Sequence, residues 1–353
     1  MSKLWHGFNL GNWLSQSTLK PPHIDTFYKE EDIALAAEWG FNFIRLPVDY
    51  MLFEKDEALG IYDEARLRYV DKGISWCKKY GLHVNLDLHH APGYGISNMC
   101  SATLWTNEDQ LKRTEKIWRM LAKRYAGEGD YLSFNLINEP FGVDMPTYQR
   151  FVRRMVKAIR EQDPDRFIIA DGHTISTMPV PNIEDLGIGQ SLHCYEPLWL
   201  THLGAKWVHA AYIYKENPEY PGKPPNMEKY AKKMPFFFSF ESWFFERYTD
   251  VYCDKAWIEK LYEPWFKLNK TTGTFIHCGE MGVYTKRISR KSQLNWYRDV
   301  FDIFKTHNVG WAVWNLRGPF GVINTEQPGI LMEKLPDGSL LDTELLELFQ
   351  SYL

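Results

Sequence analysis

Long apolar runs are missing from this 353-residue sequence. None reaches the ~18 residues that would suggest a membrane-spanning helix, so no membrane association is expected. The first residues also lack the apolar segment of a signal peptide, which predicts a cytoplasmic protein. Basic and acidic residues nearly balance, with 41 Lys and Arg against 45 Asp and Glu. A nucleic-acid-binding surface needs an excess of basic residues, so no nucleic-acid partner is expected.

Cysteine is scarce, and no CxxC motif occurs. The five cysteines are widely spaced, at Cys77, Cys100, Cys194, Cys253 and Cys278. An odd number at such spacing argues against both a disulfide framework and a zinc knuckle. Internal repeats, Gly/Ser-rich linkers and blocks of like charge are absent as well. We therefore expect one domain over residues 1–353, in a reducing compartment.

Aromatic residues, in contrast, are abundant. The chain has 14 Trp, 20 Tyr and 21 Phe, which together make up 16% of its residues. Such rings either fill a large core or line a cleft in which they stack on the apolar faces of sugars. Composition alone favours the core, and the choice depends on where the rings lie.

Short apolar segments alternate with amphipathic helical patterns along the chain. The candidate strands are His6–Leu10, Asn42–Leu46, His83–Leu88, Leu132–Ile137, Phe167–Ala170, Gly189–His193, Phe275–Cys278 and Gly310–Trp314. The candidate helices are Glu31–Trp39, Asp63–Tyr80, Asn107–Tyr125, Thr147–Gln162, Lys255–Asn269, Ser292–Thr306 and Asp342–Tyr352. Such alternation indicates a parallel sheet buried on both faces, and eight strands predict a (β/α)8 TIM barrel. A doubly wound sheet is the alternative, but no GxGxxG motif follows the first strand.

The segment Glu196–Thr249, between strands six and seven, breaks this alternation. It is rich in Pro and aromatic residues, and a loop of this length in a compact domain is usually functional. We expect it at the mouth of the barrel, where it narrows an open groove and presents rings to sugars. The rings are Trp199, Trp207, Tyr212, Tyr214 and Trp243. The alternative is that they pack under the loop.

Six of the candidate strands end in polar or aromatic residues. The loops after the strands form the active site of a barrel, so these side chains are expected to converge on one mouth. In chain order they are Arg45, His89, His90, Asn138, Glu139, His193, Tyr195, Glu280, Trp314 and Asn315.

Two glutamates stand out among them. Glu139 and Glu280 each follow an apolar strand, and strands four and seven lie across a barrel from each other. Glycoside hydrolysis needs such a pair, because one carboxyl group protonates the leaving oxygen while the other meets the oxocarbenium-like carbon. A metal site is the alternative, with ligands drawn from His89, His193 and His277.

Seven motifs in order extend this interpretation. They are Gly7-Phe8-Asn9-Leu10-Gly11, Ile44-Arg45-Leu46-Pro47, Leu86-Asp87-Leu88-His89, Asn138-Glu139-Pro140, His193-Cys194-Tyr195, Gly279-Glu280 and Trp314. With these motifs, from residue 5 to the C-terminus, the sequence resembles glycoside hydrolase family 5. That family has (β/α)8 barrels with catalytic Glu residues on strands four and seven. One departure is Met281, since Gly-Glu-Phe-Gly is more usual than Gly-Glu-Met-Gly.

The resemblance implies a retaining glycosidase. Glu139 is then the general acid/base, and Glu280 is the nucleophile that forms a covalent glycosyl-enzyme. Arg45 and Tyr195 would hold Glu280 in place and ionised, since a nearby guanidinium favours the charged carboxylate.

The resemblance also implies substrate-binding roles for four further residues. Asn138 would hydrogen-bond the sugar 2-hydroxyl, an interaction that strengthens in the transition state. His89 and His193 would orient the sugar and the carboxyl groups, and Trp314 would form a platform under the sugar. Neither a metal ion nor another cofactor is implied, and the expected partner is an oligosaccharide substrate.

Two stretches point to a subgroup of the family. Gly11-Asn12-Trp13-Leu14 and Trp314-Asn315-Leu316-Arg317-Gly318 are similar to intracellular, exo-acting enzymes that include β-mannosidases. The resemblance thus implies removal of single sugars from short oligosaccharides such as mannosyl-β-1,4-N-acetylglucosamine. An endo-β-1,4-glucanase (cellulase) or a β-glucosidase is the alternative. A sugar-binding protein on an inactive scaffold is a further alternative, but it would not need both glutamates with their supporting residues.

Overall fold

The computed structural model describes residues 4–95, 101–234 and 239–353. Within them, eight parallel strands form a closed barrel whose order follows the chain. The strands are β1 (His6–Asn9), β2 (Phe43–Asp49), β3 (His83–His90), β4 (Leu132–Asn135), β5 (Phe167–Asp171), β6 (Gly189–Cys194), β7 (Ile276–Met281) and β8 (Gly310–Val313). The predicted (β/α)8 barrel is confirmed, and each predicted strand is present.

Helices connect the strands. In chain order they are α1 (His23–Thr26), α2 (Glu30–Glu38), α3 (Glu64–Lys79), α4 (Glu108–Tyr125), α5 (Met145–Arg160), α6 (His173–Ser176), α7 (Leu198–Thr201), α8 (His209–Ile213), α9 (Met227–Ala231), α10 (Ser239–Tyr248), α11 (Lys255–Thr272), α12 (Arg290–His307) and α13 (Thr343–Gln350). All the predicted helices are present. Asp63, Asn107 and Asp144 cap α3, α4 and α5, because their side chains accept hydrogen bonds from the first helical turn.

Shorter elements complete the described chain. Single 3₁₀ turns cover Tyr50–Leu52, Gly129–Tyr131 and Glu184–Leu186. Two short antiparallel strands, β9 (Glu333–Lys334) and β10 (Leu340–Leu341), form a separate hairpin near the C-terminus. In the described ranges, no helix is both long and apolar enough to cross a membrane.

The segment between β6 and β7 is helical rather than an open loop. It contains α7 to α10, and α7, α8 and α9 are only four or five residues long. Helices this short do not produce an amphipathic period, which is why the sequence pattern did not reveal them. The beginning of the segment is well anchored, since Trp296 of α12 donates a hydrogen bond to the Glu196 carbonyl oxygen at 2.9 Å.

The described residues fall into two compact units. The first comprises the described residues within 1–193, 264–279 and 310–312, and the second comprises those within 194–263, 280–309 and 313–353. The first unit contains β1 to β5 and most residues of β6, β7 and β8. The helical segment α7 to α10 and the helices α12 and α13 belong to the second unit. The described cysteines, Cys77, Cys194, Cys253 and Cys278, are buried, and Cys100 lies outside the described residues.

Aromatic rings fill the amino-terminal end of the barrel in the first unit. Trp5 stacks on His83 with ring centroids 3.9 Å apart and meets Phe275 edge-on. His277 packs beside Trp5 in the same layer. His83 and His89 lie six residues apart on β3, which is about 20 Å at the rise of a strand. His277 therefore lies far from His89, so these two histidines of the alternative metal site do not come together.

The pairing of β1 with β2 depends on a glycine. Gly7, the first residue of the Gly-Phe-Asn motif, lies opposite Phe43 in the strand register. A Cβ atom on Gly7 would lie 1.7 Å from the Phe43 carbonyl oxygen. Because that oxygen belongs to the backbone of a central strand, it has little freedom to move away.

We predict that Gly7→Ala lowers the free energy of unfolding by about 2 kcal/mol or more, as expected for overpacking against backbone. Gly127→Ala is the matched control, because a Cβ atom there would meet no atom within 4 Å. Urea or thermal unfolding followed by circular dichroism measures both variants. Equal stability of the two variants would contradict the proposed close approach of β1 and β2.

Candidate active site

Glu139 lies just beyond β4 in an unusual backbone conformation. Its φ angle is +46°, in the left-handed region that residues with a side chain rarely adopt. Its backbone N–H donates a hydrogen bond to the Asp171 carboxylate at 2.9 Å, and the Tyr94 hydroxyl donates to its carbonyl oxygen. These two contacts from neighbouring elements hold the strained backbone and direct the Glu139 side chain.

The Glu139 carboxyl group is buried and touches His193. The Nδ1 atom of His193, on β6, lies 2.8 Å from Glu139 Oε1. Burial and the negative charges of Asp171 and Asp87 together raise the pKa of Glu139 to about 8, against the opposing effect of Arg45. Glu139 is therefore protonated at neutral pH and is equipped to donate a proton.

Arg45 organises the interior of the barrel below Glu139. It is completely buried and forms an ion pair with Asp87 at 3.1 Å. Its guanidinium also donates hydrogen bonds to the side-chain oxygens of Asn9, Asn135 and Asn138. The structure corrects one expectation, because Arg45 is the third residue of β2 and not its last.

Arg45 fixes the orientation of the Asn138 amide. The Asn138 oxygen accepts from Arg45 at 2.9 Å, which identifies the other end of the amide as its Nδ2 donor. That buried nitrogen has no hydrogen-bond partner among the described residues. An amide donor held in this way is suited to a substrate hydroxyl group.

His89 lies near the carboxyl end of β3, and its orientation is set by a carboxylate. Its Nδ1 atom is 2.8 Å from Asp87 Oδ2, and both side chains are fully buried. Burial lowers the pKa of His89 well below its usual value, so the ring is neutral. Asp87 thus links His89 to Arg45 and connects the histidine to the same buried network.

The strand β7 passes close to His193. The Gly279 carbonyl oxygen accepts a hydrogen bond from the Asn9 side chain at 2.9 Å. A Cβ atom on Gly279 would lie 2.4 Å from Ser191 Oγ and 3.4 Å from His193 Nε2. The Gly-Glu motif therefore needs glycine at this position, and the residue that follows it on β7 is Glu280.

In the second unit, Glu280 is held by a tyrosine. The Tyr195 hydroxyl donates a hydrogen bond to Glu280 Oε2 at 2.9 Å. A donated hydrogen bond stabilises the ionised form of a carboxylate. The predicted contact between Tyr195 and Glu280 is therefore present.

Trp314 follows β8 and lies in an aromatic cluster of the second unit. It packs with Ala205, Tyr284 and Phe320, and the Tyr195 ring lies against the same cluster. Its backbone N–H donates a hydrogen bond to the Met281 carbonyl oxygen at 2.8 Å, which joins the end of β8 to the end of β7. The indole is thus held within the same unit as Glu280.

The aromatic rings of the helical segment divide into two groups. Trp199 and Tyr214 are completely buried, so the expectation that they stack on sugars is wrong for both. Trp207, Tyr212 and Trp243 are exposed. Of the three, Trp207 contacts Tyr284 and Phe320 and so adjoins the cluster around Trp314.

Sequence reasoning missed Asp171, which the structure places at the carboxyl end of β5. The predicted strand ends at Ala170, one residue before Asp171, so the aspartate falls outside it. An aspartate directly after Ile-Ile-Ala is the same signal that identified Glu139 and Glu280. The Asp-Gly pair that it forms with Gly172 also resembles an ordinary turn, which hides the signal.

Comparisons with known proteins identify the family of the chain. A family model described as cellulase (glycosyl hydrolase family 5) matches residues 6–318. The chain is 33% identical to Endoglucanase C of Acetivibrio thermocellus over 333 residues, which cover 93% of this chain and 95% of the relative. It is 27% identical to Cellodextrinase A of Ruminococcus flavefaciens, with 86% of this chain and 82% of the relative covered.

A solved structure extends the likeness to three dimensions. A crystal structure described as a glycoside hydrolase superposes with a TM-score of 0.84 at 28% identity, and the match covers 99% of both chains. The resemblance inferred from the seven motifs is thereby confirmed at the level of the family. The chain belongs to glycosyl hydrolase family 5 and is a glycoside hydrolase.

Proposed function

We propose that this enzyme hydrolyses β-1,4-linked glucan chains by double displacement, with Glu139 as the general acid/base and Glu280 as the nucleophile. The observation that carries the proposal is the contrast between the two carboxyl groups. Burial and nearby negative charge raise the pKa of Glu139 to about 8, whereas Glu280 accepts a hydrogen bond from Tyr195. Two like groups in different environments are what a paired acid and nucleophile need.

In the first step, protonated Glu139 gives its proton to the glycosidic oxygen while the bond from that oxygen to C1 breaks. The Glu280 carboxylate forms a bond to C1 from the opposite face, which produces a glycosyl ester. In the second step, ionised Glu139 takes a proton from water as the water oxygen attacks C1 and releases Glu280. Two inversions give net retention, and such pairs of carboxyl groups lie ~5–5.5 Å apart in retaining enzymes.

The remaining predicted residues serve binding and orientation in this proposal. The Asn138 Nδ2 donor is assigned to the sugar 2-hydroxyl, because the opposite end of its amide is occupied by Arg45. His89 and His193 orient the sugar and the acid, and Trp314 provides a flat apolar surface for the sugar ring.

The proposed substrate rests on the relatives. Endoglucanase C matches nearly the whole of both chains, and its name and that of Cellodextrinase A refer to glucan substrates. These names favour the alternative of an endo-β-1,4-glucanase over the expected exo-acting β-mannosidase. Glucosides and mannosides differ at the C2 hydroxyl, whose recognition depends on side-chain placement rather than on the motifs that identify the family.

We predict that Glu280→Gln abolishes turnover of every substrate, because an amide does not attack the anomeric carbon. Glu139→Ala should lower the turnover of cellotetraose about 10²–10⁴-fold, because this substrate needs a protonated leaving group. It should lower the turnover of a dinitrophenyl cellobioside far less. Steady-state kinetics on both substrates measures the two effects. Equal losses for the two variants on the activated substrate would contradict the assigned roles.

Glu115→Gln is the matched control for these variants. Glu115 lies on α4 and forms ion pairs with Arg119 and Arg154, so the same substitution there should leave activity unchanged. All assays contain EDTA, because Glu139, His193 and Glu280 are residue types that also bind metal ions, and the proposed mechanism needs none. A loss in EDTA that zinc restores would count against the proposal.

We predict a rapid fall in the viscosity of carboxymethylcellulose, with products of mixed length, because an endo-acting enzyme cuts within the chain. Viscometry and product chromatography measure this, with Glu280→Gln as the inactive control. Aryl β-glucosides and aryl β-mannosides are compared in parallel. Constant viscosity, together with release of single mannose units from short oligosaccharides, would instead support the exo-β-mannosidase.

A further inference from the structure

We infer that Asp171, at the carboxyl end of β5, is a positioning residue that keeps Glu139 and His193 in the arrangement of a proton donor. The inference rests on the proposed role of Glu139 as the acid. It goes beyond that role because it makes a residue of β5, Asp171, responsible for keeping Glu139 protonated. All the residues that carry it belong to the first unit.

The first argument concerns the backbone. Glu139 has a φ angle of +46°, and non-glycine residues held in this region cost about 1–3 kcal/mol each. Asp171 Oδ2 accepts the Glu139 N–H at 2.9 Å and also the Ser176 hydroxyl at 3.2 Å. Ser176 and Ile175 are left-handed as well, and the Ile175 N–H donates to the Pro140 carbonyl oxygen. Asp171 thus holds the strained backbone at Glu139 and the strained backbone at Ser176 next to each other.

The second argument concerns the histidine tautomer. Asp171 Oδ2 lies 3.3 Å from His193 Nε2, and His193 Nδ1 lies 2.8 Å from Glu139 Oε1. The contact is electrostatic and does not meet the geometry of a hydrogen bond, but a negative carboxylate this close to Nε2 favours the tautomer with the proton on that nitrogen. Nδ1 is then an acceptor, and the Glu139 carboxyl group must be the donor in that hydrogen bond. Asp171 therefore stabilises protonated Glu139 through His193.

The third argument concerns charge. Asp171 is completely buried, and its other oxygen accepts a hydrogen bond from the Asn135 side chain at 2.9 Å. A buried negative charge opposes a second one nearby. The charged and titratable groups that face Glu139 are Asp171 on β5, Asp87 on β3, Arg45 on β2, His193 on β6, Tyr94 after β3 and, in the proposed mechanism, Glu280 on β7.

The test is the pH profile of kcat/KM for Asp171→Asn. Glu139 must be protonated to act, so wild-type activity on cellotetraose falls as pH rises through its pKa. Without the Asp171 charge, Glu139 ionises more readily, and this basic limb should move to lower pH by about one unit. The loss should also be larger on cellotetraose than on the dinitrophenyl cellobioside, which needs little protonation.

Asp163→Asn is the matched control. Asp163 is a buried carboxylate just before β5 and pairs with Arg166 at 2.7 Å, so the variant removes the same charge near the other end of the strand. Its basic limb should stay at the wild-type pH. The inference would be overturned if folded Asp171→Asn lost activity at the same high pH as the wild type and lost equal activity on both substrates. Asp171 would then have a structural role only.

Asp171→Glu provides a second test if Asp171→Asn does not fold. It keeps the charge but displaces the carboxylate, so the basic limb should persist while turnover of cellotetraose falls. Wild-type turnover on both substrates would contradict a positioning role. A separate variant tests the proposed function on which the inference rests. If the fall in activity at high pH persists in Glu139→Gln, then Glu139 is not the acid.

Discussion

The hydrogen bond between Glu139 and His193 is the interaction on which the proposed chemistry depends. A retaining glycosidase needs two carboxyl groups that differ in protonation at the same pH. The contact at 2.8 Å stabilises a proton on Glu139 only if His193 presents an acceptor nitrogen to it. Whatever sets the state of this histidine therefore also sets the state of the acid.

A buried charge balance supports that arrangement. Arg45, Asp87 and Asp171 are all fully buried in the barrel of the first unit, and the Arg45 guanidinium faces both carboxyl groups. Isolated buried charges are costly, so each is paired or hydrogen-bonded. The Asp171 carboxylate lies beside Glu139 and opposes its ionisation. The same arginine orients Asn138, so one residue contributes both to the electrostatics and to the proposed recognition of the substrate.

Much of the fold was predictable because its signals are local. Apolar strands that alternate with amphipathic helices define the barrel, and strand ends with carboxyl groups identify Glu139 and Glu280. Arg45 was predicted as a site residue, but the apolar residues on both sides of it did not show that it lies inside β2 rather than at its end. The burial of Trp199 and Tyr214 was not predictable, because composition does not distinguish a core ring from an exposed one.

Other features depend on tertiary contacts that no local pattern contains. Asp171 contacts Glu139 and His193 only because the ends of β4, β5 and β6 are adjacent in the folded barrel. In the sequence, the Asp171-Gly172 pair is typical of a turn. The helices α7 to α9 are too short to have a period of their own. The choice between glucose and mannose likewise depends on side-chain positions around C2, so the sequence motifs identify the family but do not determine the preferred sugar.

Covalent trapping tests the central claim most directly. A 2,4-dinitrophenyl 2-deoxy-2-fluoro-β-cellobioside slows both steps, because fluorine destabilises the oxocarbenium-like transition state, while its reactive leaving group still permits the first step. Peptide mass spectrometry of the inactivated enzyme then locates the sugar. The account predicts one fluorosugar per chain, attached to Glu280. A sugar on Glu139 or on another residue, or inactivation without a covalent sugar, would contradict it.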